Sequence, residues 1–240
     1  MLNFIGTGSA FNTKLGNNSA FIKKDKTLFL IDCGSTTFSR MQEAKLLDDV
    51  EKIAVLLTHT HPDHVGSLGD LILYGYYSMG KLGEPNVTVY TPNLLRIENL
   101  LWSQGVSTKT YNLVQFFDKR FIRFGAQEIG LIALEVEHVL ELNCFSYIIN
   151  YDDKTIYYSG DSNEIPNQII KMLENGKIDI FYQDTCKVDY SGNVHLSLKK
   201  LESLIKPEYR DKVYCMHLDN DFIEEEAWDL GFKVVESIIN

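Results

Sequence analysis

The sequence predicts an α/β fold of the α+β kind, in which two mixed sheets are flanked by helices. Three observations lead there. Short segments rich in β-branched and aromatic residues recur along the chain, each bounded by turn residues. Amphipathic helical patterns lie between them. Strands crowd the early part of the chain, whereas strand and helix alternate in the second half, a pattern that layers sheets under helices.

The strand segments run in order as LNFIG (2–6), SAFIKK (19–24), TLFLID (27–32), IAVLLT (53–58), VTVYTP (87–92) and IRFG (122–125). They continue as IGLIALEVEH (129–138), CFSYIIN (144–150), KTIYYSGD (154–161), IDIFYQD (178–184), KVYCMH (212–217) and FKVVES (232–237). Helical spacing is read over 67–79, 93–104, 164–174, 196–205 and 220–230. With no internal repeat or low-complexity stretch, and no linker marked by the five prolines, residues 1–240 read as a single domain.

At 45% hydrophobic residues the chain can bury a substantial core. Its formal net charge of −10 argues for a small ligand over an extended polyanion, whose grip normally needs a basic surface. The scattered Cys33, Cys144, Cys186 and Cys215 have no C-x-x-C spacing and read as reduced core residues. The opening MLNFIGTGSAF lacks the basic-then-apolar form of an export leader, and no run of about 20 apolar residues could span a bilayer. A cytoplasmic location without membrane attachment is the expectation.

LLTHTHPDHVGSL (56–68) concentrates chemistry. Half of the six histidines fall here, with an aspartate between them. Chance would produce H-x-H-x-D-H in such a chain on the order of once in a few thousand. Crowded imidazoles repel when protonated and need partners when neutral, so the cluster suits a metal better than a plain turn. IAVLLT is an apolar strand that Pro62 ends, so His59 and His61 emerge at its end, and Asp63 and His64 open a helix. Four such ligands exceed what one catalytic zinc uses, which implies a second ion. His138, Asp161 and His217 each follow a hydrophobic strand, as His59 does, and could supply the rest. Singly, each has a plainer reading: a strand-end histidine is often a hydrogen-bonded structural residue, and an aspartate after Ser-Gly is often a turn former or cap.

FIGTGSA, LFLIDCG, THTHPDHVGSL, a later histidine, YYSGD and a final strand-end histidine, in that order, resemble the metallo-β-lactamase fold and its ribonuclease Z-like phosphodiesterases. The resemblance implies an αββα sandwich with two divalent ions at one edge, zinc by preference and Mn²⁺ as the alternative. It assigns His59, His61 and His138 to one ion and Asp63, His64 and His217 to the other, with Asp161 bridging. FYQDTCKVDYSGNVHLS is similar to the segment that carries the family's proton donor, which would make His195 the donor and Asp184 its orienting carboxylate; a histidine near Asn193 could also be a capping neighbour. Two ions can activate a water and neutralise charge on a phosphodiester. Asp63 would also orient the nucleophile, and Asp32 would back a ligand or form a turn instead of binding metal.

Within that family, secreted lactamases need a leader, and thioesterases of the glyoxalase II type carry a helical domain where only 23 residues follow His217. Ribonuclease Z enzymes usually insert an RNA-gripping arm where 22 residues separate His138 from Asp161. What remains resembles the compact anti-Pycsar group, which implies hydrolysis of 3′,5′-cyclic mononucleotides (cAMP, cGMP, cCMP, cUMP) against antiphage signalling, in a homodimer. Ribonuclease Z-like cleavage of tRNA or other RNA is the alternative. Tyr74, Tyr76, Tyr77 and Trp102 are expected in the core or a subunit contact, with stacking on a base as the other option. Asn17 and Asn18, in a polar loop, are candidates for phosphate or ribose contact.

Overall fold

Turn chemistry sets the antiparallel half of each sheet, and helical crossovers set the parallel half. The computed structural model describes residues 1–239. The first sheet takes its strands in chain order: β1 (Asn3–Gly6), β2 (Ser19–Lys24), β3 (Thr27–Ile31), β4 (Lys52–Leu56), β5 (Val87–Pro92) and β6 (Asn112–Phe116). The second does the same with β7 (Lys119–Phe124), β8 (Gln127–Val136), β9 (Cys144–Tyr151), β10 (Lys154–Tyr158), β11 (Ile180–Asp184), β12 (Val213–Met216) and β13 (Lys233–Val234).

β1, β2 and β3 pair antiparallel, as do β7 through β10. The β9–β10 hairpin pairs Tyr151 with Lys154 and turns on Asp152 and Asp153, at φ of 53° and 56°. A two-residue turn with both φ values positive matches the twist of the strands, and aspartate tolerates that region better than most side chains. From β3 to β6 and from β10 to β13 the pairing is parallel, so each connection must cross over. The crossovers carry α1 (Thr37–Glu43), α2 (Pro62–Val65), α3 (Leu68–Tyr77) and α4 (Ile97–Ser103) in the first half. In the second half they carry α5 (Asn167–Glu174), α6 (Leu198–Leu204) and α7 (Glu224–Asp229).

Alternation along the strands divides the core. Ile156 and Tyr158 of β10, Tyr182 of β11 and Met216 of β12 join the large cluster that also holds Phe29, Leu30 and Val55 of the first sheet. Tyr157, Phe181 and Cys215 point the other way and pack with Ile169, Leu173 and Leu201 of α5 and α6. Both faces are covered, so these strands read as unbroken apolar runs. Each fully buried Ile or Phe contributes about 1.5–3 kcal/mol.

The expected αββα sandwich of two mixed sheets is what the chain forms. Three local details differ from the expectation. β6 and α1 were not legible; α1 is seven residues long and buries only Thr37 and Met41. The helix expected over 93–104 breaks at Arg96, whose φ of 47° lies in the left-handed region, leaving a turn at Asn93–Leu95 before α4. The helix expected over 164–174 begins only at Asn167, after Pro166. In both sheets the parallel strands run their C-terminal ends to one cleft, where open α/β sheets place ligands.

Candidate metal centre

β4 stops at Leu56, and Pro62 stands as the first residue of α2 with His61 at its N-cap. The loop of Cys33–Ser35 braces this turn: Cys33 N–H donates to the His64 carbonyl at 2.7 Å and Ser35 N–H to the Pro62 carbonyl at 3.1 Å. Gly34 is required there, because a Cβ would fall 1.9 Å from the Asp63 carbonyl oxygen. Gly160, at φ of 58°, brings the chain against Thr58 and the Phe145 carbonyl just before Asp161.

Five of the six imidazoles have Nδ1 tied down outside the cleft. Thr58 gives its hydroxyl proton to Asp32 Oδ2 at 2.7 Å, so its oxygen accepts from Nδ1 of His59 at 3.1 Å. His64 Nδ1 lies 2.8 Å from Asp32 Oδ2, and His138 Nδ1 donates to the Val194 carbonyl at 2.9 Å. Asp184 holds two rings, Nδ1 of His195 at 2.7 Å and Nδ1 of His217 at 3.2 Å. Such outer contacts orient each ring and turn its Nε2 toward the cleft. His61 is the exception and turns Nδ1 inward.

Two groups of donors result. In the first, Nδ1 of His61 lies 3.0 Å from Nε2 of His59 and 3.3 Å from Nε2 of His138. In the second, His64 Nε2 is 3.3 Å from Asp63 Oδ2 and 3.2 Å from Asp161 Oδ1. His217 Nε2 is 3.2 Å from Asp63 Oδ2 and 3.4 Å from Asp161 Oδ2. That same Oδ2 reaches toward the first group, 3.7 Å from His138 and 3.9 Å from His59. Donors at about 2.0–2.1 Å from a tetrahedral zinc stand about 3.3 Å apart, so both groups fit the ion.

Electrostatics make the same demand. Burial, helped by His64, pushes His59 well below its ordinary pKa, and burial with His138 lowers His61, so both are neutral ligands. Burial opposes charge on His64 and His217, but Asp161 with Asp32 and Asp63 holds the first well above its usual value. Asp161 and Asp184 lift the second to about 10. Burial likewise opposes ionisation of Asp63 and Asp161, yet His64 and His217 keep both well below the carboxylate range. His64 Nε2 and Asp161 Oδ1 are buried without a hydrogen bond. A buried carboxylate cluster that draws protons onto two histidines has the character of a cation site.

The cleft above these groups has a volume of about 430 Å³. His61, Asp63, His138, Asp161, His195 and His217 line it, with Phe11 at the rim. No lysine or arginine lines it among the described residues. All seven expected ligands meet here, and His195 and Asp184 stand beside them. Asp32 backs His64, as one of its two sequence readings held. Asn17 reaches the wall, but its Oδ1 accepts from Thr36 N–H at 2.9 Å and from the Thr36 hydroxyl at 3.1 Å. Asn18 turns away to the Tyr158 hydroxyl at 2.9 Å. Tyr74, Tyr76, Tyr77 and Trp102 lie outside the lining, with Tyr74 packed on Phe38 and Trp102 75% exposed. Sequence reasoning missed Phe11, for which a lone aromatic in the polar loop was the signal. It also missed the second contact of Asp184, which carried no local signal.

Two mixed sheets with this edge define a metallo-β-lactamase-fold protein. The metallo-β-lactamase fold protein YhfI from Bacillus subtilis superposes with a TM-score of 0.73, covering 98% of this chain and 94% of that one at 19% identity. The chain belongs to the Anti-Pycsar protein Apyc1 family, which it matches over residues 1–237. The Anti-Pycsar protein Apyc1 of Paenibacillus harenae is 28% identical over 98% of this chain and 96% of its own length. That of Saccharibacillus brassicae is 30% identical over 90% of this chain and 88% of its own.

Proposed function

We propose that this chain is a dinuclear metal-dependent phosphodiesterase that hydrolyses 3′,5′-cyclic mononucleotides to nucleoside monophosphates and so counters antiphage signalling. The observation that carries this reading is the second donor group, in which Nε2 of His64 and Nε2 of His217 face carboxylate oxygens of Asp63 and Asp161 at 3.2–3.4 Å in a buried cluster beside a triad of imidazoles. His59, His61 and His138 would hold one divalent ion, and Asp63, His64 and His217 the other, with Asp161 between them. Zinc suits this nitrogen and carboxylate set, and Mn²⁺ is the alternative. Bound there, the ions supply an activated water and charge neutralisation at phosphorus.

The protein's own groups supply the rest. Asp63 accepts a hydrogen bond from the attacking water and aims it. Burial opposes charge on His195, but Asp184 raises its pKa above that of a free imidazole, which favours the protonated ring. With Nδ1–H on Asp184, its Nε2–H is the proton available to the departing ribose oxygen.

A cleft of about 430 Å³ without lysine or arginine suits a mononucleotide better than an RNA strand. The Apyc1 family name supports the same substrate class. Because donors come from both sheets, residues 1–240 are read as one domain. Among the described residues no helix is long and apolar enough to cross a membrane. A cytoplasmic homodimer remains our reading of the assembly. The test offers purified protein cAMP, cGMP, cCMP and cUMP beside a precursor tRNA. Formation of nucleoside monophosphates, abolished by chelation, is expected. Cleavage of the RNA alone would replace this reading with a ribonuclease Z-like one.

A further inference from the structure

Beyond the metal cleft, on the far side of His195, lies a second recess of about 390 Å³. The two share Ala10, Phe11, Val194, His195 and His217, so they adjoin with the proton donor between them. Its remaining walls are unusual for an exposed surface. Phe11 is 86% exposed, Tyr190 is 58% exposed and Val188 is 48% exposed, and all three line this recess. The backbones beneath them are anchored. Asn12 Nδ2 donates to the Leu218 carbonyl at 3.2 Å and to the Asp219 carbonyl at 3.1 Å, and Ser9 N–H donates to the Leu218 carbonyl at 2.9 Å. On the other side, Asn193 Nδ2 donates to the Val188 carbonyl at 2.8 Å. Two rings are thus presented to solvent from firmly held loops.

We propose that this recess is the nucleoside subsite, with the base lying against the rings of Phe11 and Tyr190. The inference rests on the phosphodiesterase reading above, and it follows from where the proton goes. In a cyclic nucleotide the oxygen that departs from phosphorus belongs to the ribose. Whatever carries that oxygen lies on the side of the group that protonates it, which is His195. The recess on that side therefore receives the sugar and its base.

Most of the polar groups there are already engaged. Asn193 uses Nδ2 on Val188 and on Cys186 Sγ, and its Oδ1 accepts from His195 N–H at 3.1 Å. Asp219 Oδ2 accepts from Lys187 N–H at 2.9 Å, and its Oδ1, though without a hydrogen-bond partner, is closed off from solvent. What the recess offers a base is π-surface and not a hydrogen-bonding edge, and every base has a π-face. Selection is accordingly for the presence of a base, with weak preference among purines and pyrimidines.

The experiment compares kcat/KM for cAMP and cCMP with that for an abasic analogue, 1-deoxyribose 3′,5′-cyclic phosphate, in wild type, F11A, Y190A and F11W. Both rings are exposed enough that truncation leaves the core intact. The nucleotide-to-abasic ratio is expected to fall roughly tenfold in F11A and in Y190A, mainly through KM, and to be kept in F11W. Ratios in both alanine variants within twofold of wild type would overturn the subsite while leaving the phosphodiesterase reading in place. Wild-type protein inert toward all three compounds would overturn the substrate reading itself.

Discussion

Oδ2 of Asp184 lies 2.7 Å from Nδ1 of His195, and this pairing gives the ring both its charge and its direction. The other carboxylate oxygen faces His217 at 3.2 Å, so one buried aspartate serves the proton donor and a metal ligand together.

His195→Ala removes the proton for the leaving oxygen. On cyclic nucleotides kcat is expected to fall roughly 10²–10⁴-fold. A p-nitrophenyl phosphodiester, whose leaving group departs without a proton, should lose far less. Steady-state kinetics on the two substrates provide the check, and an equal loss on both would remove His195 from that role.

Asp32→Ala tests how the metal site is supported. Asp32 is fully buried and accepts from Thr58 N–H at 2.8 Å as well as holding His64. Losing it leaves a buried donor unsatisfied, at a cost of about 1–3 kcal/mol, and frees the His64 ring. Metal affinity at the second donor group should drop roughly 10–100-fold. Denaturant melts and metal titration measure both effects.

Gly34→Ala places a methyl group 1.9 Å from the Asp63 carbonyl oxygen. The turn that carries Asp63 and His64 must then move. The expected cost is about 1–3 kcal/mol, with a matching loss of bound metal. A variant as stable and as metal-rich as wild type would contradict the close packing.

In the chelated, metal-free chain the pH dependence follows from two rings. Burial opposes their charge, but Asp161 and Asp184 lift His217 to about 10, and Asp161 with Asp32 raises His64. A pKa raised above the unfolded value of 6.5 means that the native state holds its proton more tightly. The resulting stability is complete below that value and is lost as pH climbs toward about 10. Asp63 and Asp161, held low, act in the opposite sense and withdraw stability as the solution becomes acid. Urea midpoints of the chelated protein should therefore fall between pH 7 and pH 10. A midpoint that stays flat or rises over that range would contradict the pairing.

Much of this was legible because ligand types stood at strand ends. His59, Asp161 and His217 each follow an apolar run that reads as a buried strand; parallel pairing aligns Asp161 and His217 at one end of the second sheet, and the packing of the two sheets sets His59 beside them. The HTHPDH turn needed no long-range contact to be read. What escaped depends on tertiary packing. α1 is too short to show a period, and β6 is a half-exposed edge strand. The break at Arg96 is a single backbone torsion. Phe11 gains meaning only because Leu218 and Asp219, over two hundred residues away in sequence, hold its loop against the cleft.

The central claim is that two cations complete this edge. Elemental analysis of purified protein, stripped and then reloaded, tests it most directly. Two equivalents of Zn²⁺ or Mn²⁺ per chain are expected, the second held more weakly in D32A, with hydrolysis of cAMP returning in step with the second equivalent. A chain that takes up no metal, or that cleaves cAMP equally well without it, would contradict the account.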